Sequence, residues 1–327
     1  MKRIVLFLFL SLVLCDLAKA QQEPMYTQYM FNTLAYNPAY AGSRGFLSMN
    51  AIYRIQWASF DGAPSTQVFN IHSPLKQERI GLGLSVYRDE IGVSNQTSVF
   101  ASYAYRIPLK VGDLAFGLQG GVLNWRSDLS QLTQREANDP VFTGTDNPNL
   151  WLPNFGAGVY YQADLFYIGL SVPNILSPDL RNEGLDPTTQ DMVASQYRHM
   201  YLAAGLALKL NRNLVFKPAL LIKNTDLLNG SSITAPTQYD IDVAFLFRET
   251  LWVGASYRSA FQGSEDATSF DSVDFLLGVQ LKNGLRIGTA YDMTLSDIKQ
   301  VSDGSYEIMV GYEFNYKKDK IVTPRYF

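Results

Sequence analysis

Cysteine is nearly missing from this 327-residue chain: its one copy, Cys15, lies in an opening segment expected to be removed. The remainder can form no disulfide and do no thiol chemistry, which suits an exported bacterial envelope protein held by hydrogen bonds. Histidine is almost as scarce, with only His72 and His199. A His/Cys metal centre needs three or four soft ligands, so no metal is expected. A hydrolase needs a nucleophile and a base within hydrogen-bond reach. His72 and Ser73 are strand neighbours whose side chains point to opposite faces. His199 lies where a long loop meets a strand, between Arg198 and Tyr201, and reads as a rim residue. Neither catalysis nor a cofactor is expected. A surplus of one charge is also lacking: 27 basic against 30 acidic residues give a net charge of −3. That balance offers no electrostatic footprint for nucleic acid. Beyond its first residues the chain never gathers eighteen apolar residues in a run, which excludes membrane-crossing helices.

Two further chemistries fall away on spacing. Gly81-Leu82-Gly83 and Gly156-Ala157-Gly158 lie inside strand-like segments with no helix to follow, so neither makes a phosphate loop. Asn138-Asp139-Pro140 and Asp146-Asn147-Pro148-Asn149 are rich in oxygen, but two prolines interrupt them and no calcium-loop spacing is met. They read as a polar external loop ordered by Asx-turns.

What is present begins with an export address. Met1-Lys2-Arg3 forms a positive n-region, Ile4 to Cys15 an apolar h-region, and Ala18-Lys19-Ala20 an A-x-A cleavage site. The mature chain then starts at Gln21. A lipoprotein reading of Leu12-Val13-Leu14-Cys15 is disfavoured by the bulky Leu14 before the cysteine.

Then comes alternation. Fourteen strands are expected, over 46–57, 66–73, 80–89, 94–106, 113–125, 153–162, 165–172, 199–210, 214–223, 238–247, 251–258, 273–281, 285–293 and 305–315. In 305–315, Tyr306, Ile308, Val310, Tyr312 and Phe314 share one face, opposite Glu307, Gly311 and Glu313. In 238–247, Tyr239, Ile241, Val243, Phe245 and Phe247 oppose Asp240, Asp242 and Ala244. No amphipathic helix exists to cover the apolar faces, so a lipid bilayer is expected to do so. Connections of 2–6 residues, such as Ala163-Asp164 and Lys282-Asn283-Gly284, rotate with mostly long ones, the longest over 126–152 and 173–198. Glu90–Val93 is the short exception among the long set. Such rotation is the pattern of an all-β, antiparallel outer-membrane β-barrel with both termini periplasmic. The expected division is a signal peptide (1–20), a periplasmic N-terminal segment or plug (21–45), a transmembrane barrel (46–315) and a periplasmic tail (316–327).

The inward face carries Gly81, Gly83, Gly117, Gly156, Gly158, Gly169, Gly205, Gly254, Gly278, Gly288 and Gly311. Either these glycines help the sheet curve closed, or they clear the wall for something inside. Arg54, Lys217, Asp242, Arg286, Asp292 and Glu307 also face inward, and their mixed signs favour a packed interior over an ion-selective pore. Residues 26–40 are too aromatic to be left in water. They either plug the barrel mouth or dock a periplasmic partner, and the same choice holds for the tail. The candidate plug or docking residues are Tyr29, Phe31, Tyr36, Asn37, Pro38 and Tyr40 with Arg325, Tyr326 and Phe327.

A family resemblance runs through nearly the whole mature chain. It is carried by Gln28-Tyr29-Met30-Phe31-Asn32, Tyr36-Asn37-Pro38-Ala39-Tyr40-Ala41-Gly42, Tyr53-Arg54-Ile55-Gln56-Trp57 and Asp89-Glu90-Ile91-Gly92. Further on come Asn138-Asp139-Pro140-Val141-Phe142, Ile168-Gly169-Leu170-Ser171-Val172-Pro173-Asn174, Phe216-Lys217-Pro218, Trp252-Val253-Gly254-Ala255-Ser256-Tyr257-Arg258 and Ala290-Tyr291-Asp292. In these the chain resembles the PorP/SprF outer-membrane proteins of the Bacteroidota. It departs at Ser305-Tyr306-Glu307, where a Ser-His-Glu is expected. The resemblance implies a part in type IX secretion and gliding motility, with periplasmic or outer-membrane lipoproteins and adhesin-like cargo bearing a C-terminal sorting domain as partners. Strand count alone points elsewhere, to a passive transporter of small or hydrophobic solutes. Deleting 317–327 is expected to leave the barrel inserted while secretion or surface attachment of cargo is lost. Unchanged cargo export in that strain removes the tail from the mechanism.

Overall fold

The computed structural model describes residues 23–75, 78–128, 149–177, 198–225, 236–261 and 269–314. The expected signal peptide, the Asn138–Pro148 loop and the basic, aromatic tail lie outside them. The strands are β1 (Leu47–Ile55), β2 (Ser65–Leu75), β3 (Ile80–Ile91), β4 (Ser94–Pro108), β5 (Asp113–Ser127), β6 (Asn149–Gln162), β7 (Phe166–Val172) and β8 (His199–Leu206). There follow β9 (Leu208–Asn211), β10 (Leu214–Thr225), β11 (Thr237–Phe247), β12 (Leu251–Phe261), β13 (Ser269–Gln280), β14 (Leu285–Thr294) and β15 (Ser305–Phe314).

Each strand pairs antiparallel with the next, and β1 closes the ring on β15 from Leu47↔Phe314 to Ile55↔Tyr306. β8 and β9 are two halves of one wall strand, both paired to β10. The result is a closed barrel of fourteen walls, as the alternation implied. The single strand expected over 199–210 breaks at Ala207, and its pairing with β10 shifts register further on, between Leu214 and Val215. β6 begins earlier than expected, at Asn149, because Pro153 sits opposite Val122 without ending the ladder. The wall is uneven: β4 and β5 have 15 residues each, whereas β7 has 7.

Alternation sorts residues between two solvents. In β15 the Glu307 side is fully buried in the lumen, while Ile308 is 55% exposed on the outer surface. Val243 and Val253 are exposed in the same way, and Asp240, Asp242 and Asp274 are buried. An outer surface of Leu, Val, Ile and aromatic side chains around a closed hydrogen-bonded ring is stable only in lipid. Tight turns join one end, and Arg248 and Glu249 both take positive φ, the geometry that matches the twist of a two-residue hairpin.

The core lies inside the ring. Residues 23–45 run down the lumen as a turn at Tyr29–Phe31, one helical turn α1 (Thr33–Tyr36) and a turn at Pro38–Tyr40. Asn37 precedes the last turn, accepts a hydrogen bond from Ala39 N at 3.0 Å, and is followed by Pro38, whose fixed φ suits a first helical position. Tyr29, Leu34, Tyr36, Ala39 and Tyr40 pack on Ala104, Tyr160, Tyr167, Tyr201 and Leu221 of the wall. An outward charge should be penalised by depth. Val310→Arg, at mid-strand on the lipid face, is expected to lower unfolding stability by about 2–4 kcal/mol, read from urea titration in lipid vesicles.

Candidate functional site: the occupied lumen

The segment is held by polar groups along its whole length. Near the long-loop end, Tyr201 donates its hydroxyl to the Glu23 carboxylate at 2.9 Å, and Lys223 Nζ donates to the Glu23 carbonyl at 2.6 Å. Next, Thr27 N and Gln28 N donate to the two oxygens of Glu307 at 3.0 and 2.9 Å. Thr27 Oγ1 donates to Asp292 at 2.6 Å, and the Tyr29 hydroxyl to Asp242 at 2.5 Å.

Two guanidiniums tie these carboxylates together. Arg54 lies 2.6 Å from Asp292 and 3.3 Å from Glu307, and also donates to Thr27 Oγ1 at 3.1 Å. Arg258 donates to both oxygens of Asp240 at 3.0 and 3.1 Å and lies 3.5 Å from Asp274 and Asp292.

Lower down, Asn50 Nδ2 donates to the Phe31 carbonyl at 2.7 Å and Ser171 Oγ to the Tyr36 carbonyl at 2.6 Å. Asn37 Nδ2 donates to Val159 O at 3.1 Å, and Asn70 bonds Asn32. At the short-turn end His72 Nδ1 accepts from Gly42 N at 3.1 Å, and Arg106 donates to the carbonyls of Ala41 and Gly42 at 3.1 and 2.9 Å. Arg44 pairs with Glu313 there. The segment thus reaches walls on every side, from β1 through β8, β10 to β12, β14 and β15.

Both readings of the inward glycines apply, at different positions. A Cβ on Gly81 would overlap the Ala41 carbonyl, and one on Gly117 the Ala39 backbone. Gly83, Gly158, Gly169 and Gly288 face Leu34, Asn37 and Gln28 of the same segment. By contrast Gly205 and Gly254 meet wall side chains, and Gly278 and Gly311 make only ordinary wall contacts.

Tyr29, Phe31, Tyr36, Asn37, Pro38 and Tyr40 are brought together inside the ring; Arg325, Tyr326 and Phe327 lie outside the described residues. His199 is not a rim residue: it is 1% exposed, faces the lumen beside Tyr201, and its Nδ1 lies 4.0 Å from Glu23. The loop-to-strand boundary suggested a rim, but the side chain's parity on β8 turns it inward. Lys223 and Glu23 escaped the sequence reading, and Arg258 entered it only within the Trp252–Arg258 motif, without a place among the inward charges. Strand parity could have found Arg258, which shares the inward face with Gly254. Among the described residues no three His, Cys, Asp or Glu are arranged to hold a metal ion.

Lipid-facing alternation, a closed ring and a filled lumen define an outer-membrane β-barrel occupied by its own N-terminal segment. The family profile described as type IX secretion system membrane protein PorP/SprF matches residues 18–312. The chain belongs to that family: it is an outer-membrane component of type IX secretion, in contact with the membrane and with the secretion machinery. Comparison with curated proteins finds no match. Among solved structures it is similar to the Acinetobacter baumannii outer membrane protein Omp33, at 7% identity and TM-score 0.46, covering 82% of this chain and 98% of that one. It is also similar to the Ralstonia pickettii toluene transporter TbuX, at 10% identity and TM-score 0.45, covering 87% and 93%. A Pseudomonas aeruginosa FadL homologue matches at 12% identity and TM-score 0.43, covering 82% and 89%.

Arg54→Ala leaves Asp292 and Glu307 buried side by side and is expected to cost about 3–5 kcal/mol. Adding Glu307→Gln should recover part of that loss. A chemical-unfolding double-mutant cycle measures it, and strict additivity of the two changes would show that the pair does not interact.

Proposed function

We propose that this barrel serves type IX secretion as a docking platform and passes nothing through its own lumen. The observation that carries the reading is the segment 23–45, hydrogen-bonded to walls on every side from the long-loop end to the short-turn end. On this reading 1–20 is removed on export, 21–45 is a plug, and 316–327 is a tail on the periplasmic side. β15 ends at Phe314 beside the short turns, which supports that side for the tail. Arg325, Tyr326 and Phe327 then meet periplasmic lipoproteins of the machinery, while the long loops face adhesin-like cargo outside. Tyr29, Phe31, Tyr36, Asn37, Pro38 and Tyr40 serve as plug residues and leave the docking to the tail and loops. The protein performs no catalysis and takes no cofactor or metal.

Affinity purification from the native envelope and single-channel recording test the two halves. Co-purification of a periplasmic lipoprotein or a large adhesin is expected, with no conductance from the wild-type barrel. Gly117→Leu, which collides with the Ala39 backbone, should displace the plug and open a conducting state. A wild-type barrel recovered alone that passes small solutes would overturn the proposal in favour of a passive transporter.

A further inference from the structure

Below Phe31, at the short-turn end, a cavity of about 200 Å³ remains between the segment and the wall formed by β10 to β15. Liquid water occupies about 30 Å³ per molecule, so the space is more than a single structural water needs. It is also smaller than the roughly 300–1,000 Å³ of drug-sized sites. A ligand there is about the size of one aromatic residue.

The walls specify its chemistry. One side is apolar: Phe31 meets Trp252 edge-on at 5.1 Å between centroids, with Leu246 and Leu276 alongside. The other side is cationic. Lys217 Nζ lies 4.2 Å over the Trp252 ring, and the Arg286 guanidinium 4.8 Å over Phe31. Three cations, Arg44, Lys217 and Arg286, line the cavity against the two carboxylates of Glu249 and Glu313. Glu313 is shared, since it accepts from Arg44 Nε at 3.1 Å and from Arg286 at 2.6 Å. Glu249 lines the cavity from the exposed β11–β12 turn, so its carboxylate also faces water. Trp252 adds a second, independent sign: it is 7% exposed, and its indole N–H has no hydrogen-bond partner among the described residues. Leaving such a donor unmade costs about 1–3 kcal/mol.

A bare inorganic anion would satisfy the cations and waste the aromatic wall. A hydrocarbon would fill the aromatic wall and leave the buried indole N–H without an acceptor. We propose that this cavity binds a small amphipathic monocarboxylate, its ring or short chain against Trp252 and Leu276 and its carboxylate among Trp252 Nε1, Lys217 and Arg286. The site goes beyond the docking reading and depends on neither cargo nor conduction.

The full chain in lipid nanodiscs, titrated calorimetrically with phenylacetate, phenylacetamide and acetate, decides the matter. Phenylacetate should bind, with the amide and acetate weaker by roughly tenfold or more, as loss of a hydrogen bond to a charged group or of the apolar contact predicts. Lys217→Gln should weaken phenylacetate to a similar degree, and Lys217→Arg should retain it. Equal binding of the amide, undiminished binding by Lys217→Gln, or no heat with any probe would each overturn the site. If Lys217→Gln fails to insert, the acid-against-amide comparison on the unaltered protein still decides.

Discussion

Once residues 23–45 lie inside the ring, the carboxylates on the inner faces of β11, β13, β14 and β15 lose their water, and the Arg54 and Arg258 guanidiniums make that tolerable. Taking one such ion out of water costs several kcal/mol even after relaxation. Five carboxylates, Asp240, Asp242, Asp274, Asp292 and Glu307, are buried here against two guanidiniums. The segment adds further stabilisation to three of them. Thr27 and Gln28 present backbone N–H groups to Glu307, Thr27 a hydroxyl to Asp292, and Tyr29 a phenol to Asp242. The dependence runs both ways, because those backbone donors would otherwise be orphaned in a closed lumen. The wall and the segment are therefore one polar network, assembled or broken together.

The same logic explains where small residues fall. A barrel of fourteen walls leaves room for a chain to pass, but a backbone can lie against the wall only where side chains are missing. Gly81 and Gly117 remove them opposite Ala41 and Ala39, so carbonyl and amide groups approach the strands directly. Tyr36, Tyr40, Tyr160 and Tyr201 then fill the wider spaces with rings at centroid distances of 5.4–5.7 Å. The protein has an outer surface built for hydrocarbon and an interior built like a water-soluble core, and each strand serves both by parity alone.

That division sets what was legible in the sequence. Parity in Tyr306–Phe314 and Tyr239–Phe247 identified the strands and their inner faces because a period of two is a local property. The glycines and aromatic residues of 26–40 announced that something needed covering. They did not say what covered what, because Thr27 meets Glu307 across 280 residues and no local pattern encodes such a pairing. His199 was misjudged for the same reason, its boundary position being local and its lumen neighbours distant. The break at Ala207 interrupts a strand whose register against β10 continues unchanged from Gly205 to Lys209, and no local pattern marks it.

The path of residues 23–45 adds a last consequence. Glu23 is held near the upper ends of β7, β8 and β10, while Arg44 is held by Glu313 at the lower end of β15. One covalent chain of about twenty residues therefore bridges the two mouths of the barrel. Between its ends it is fixed to the wall by the Asp242, Asp292 and Glu307 carboxylates, so displacement at one mouth cannot be absorbed locally. Packed interiors rearrange between discrete states more readily than they deform continuously. The buried carboxylates thus couple the two mouths of the barrel through the segment they hold.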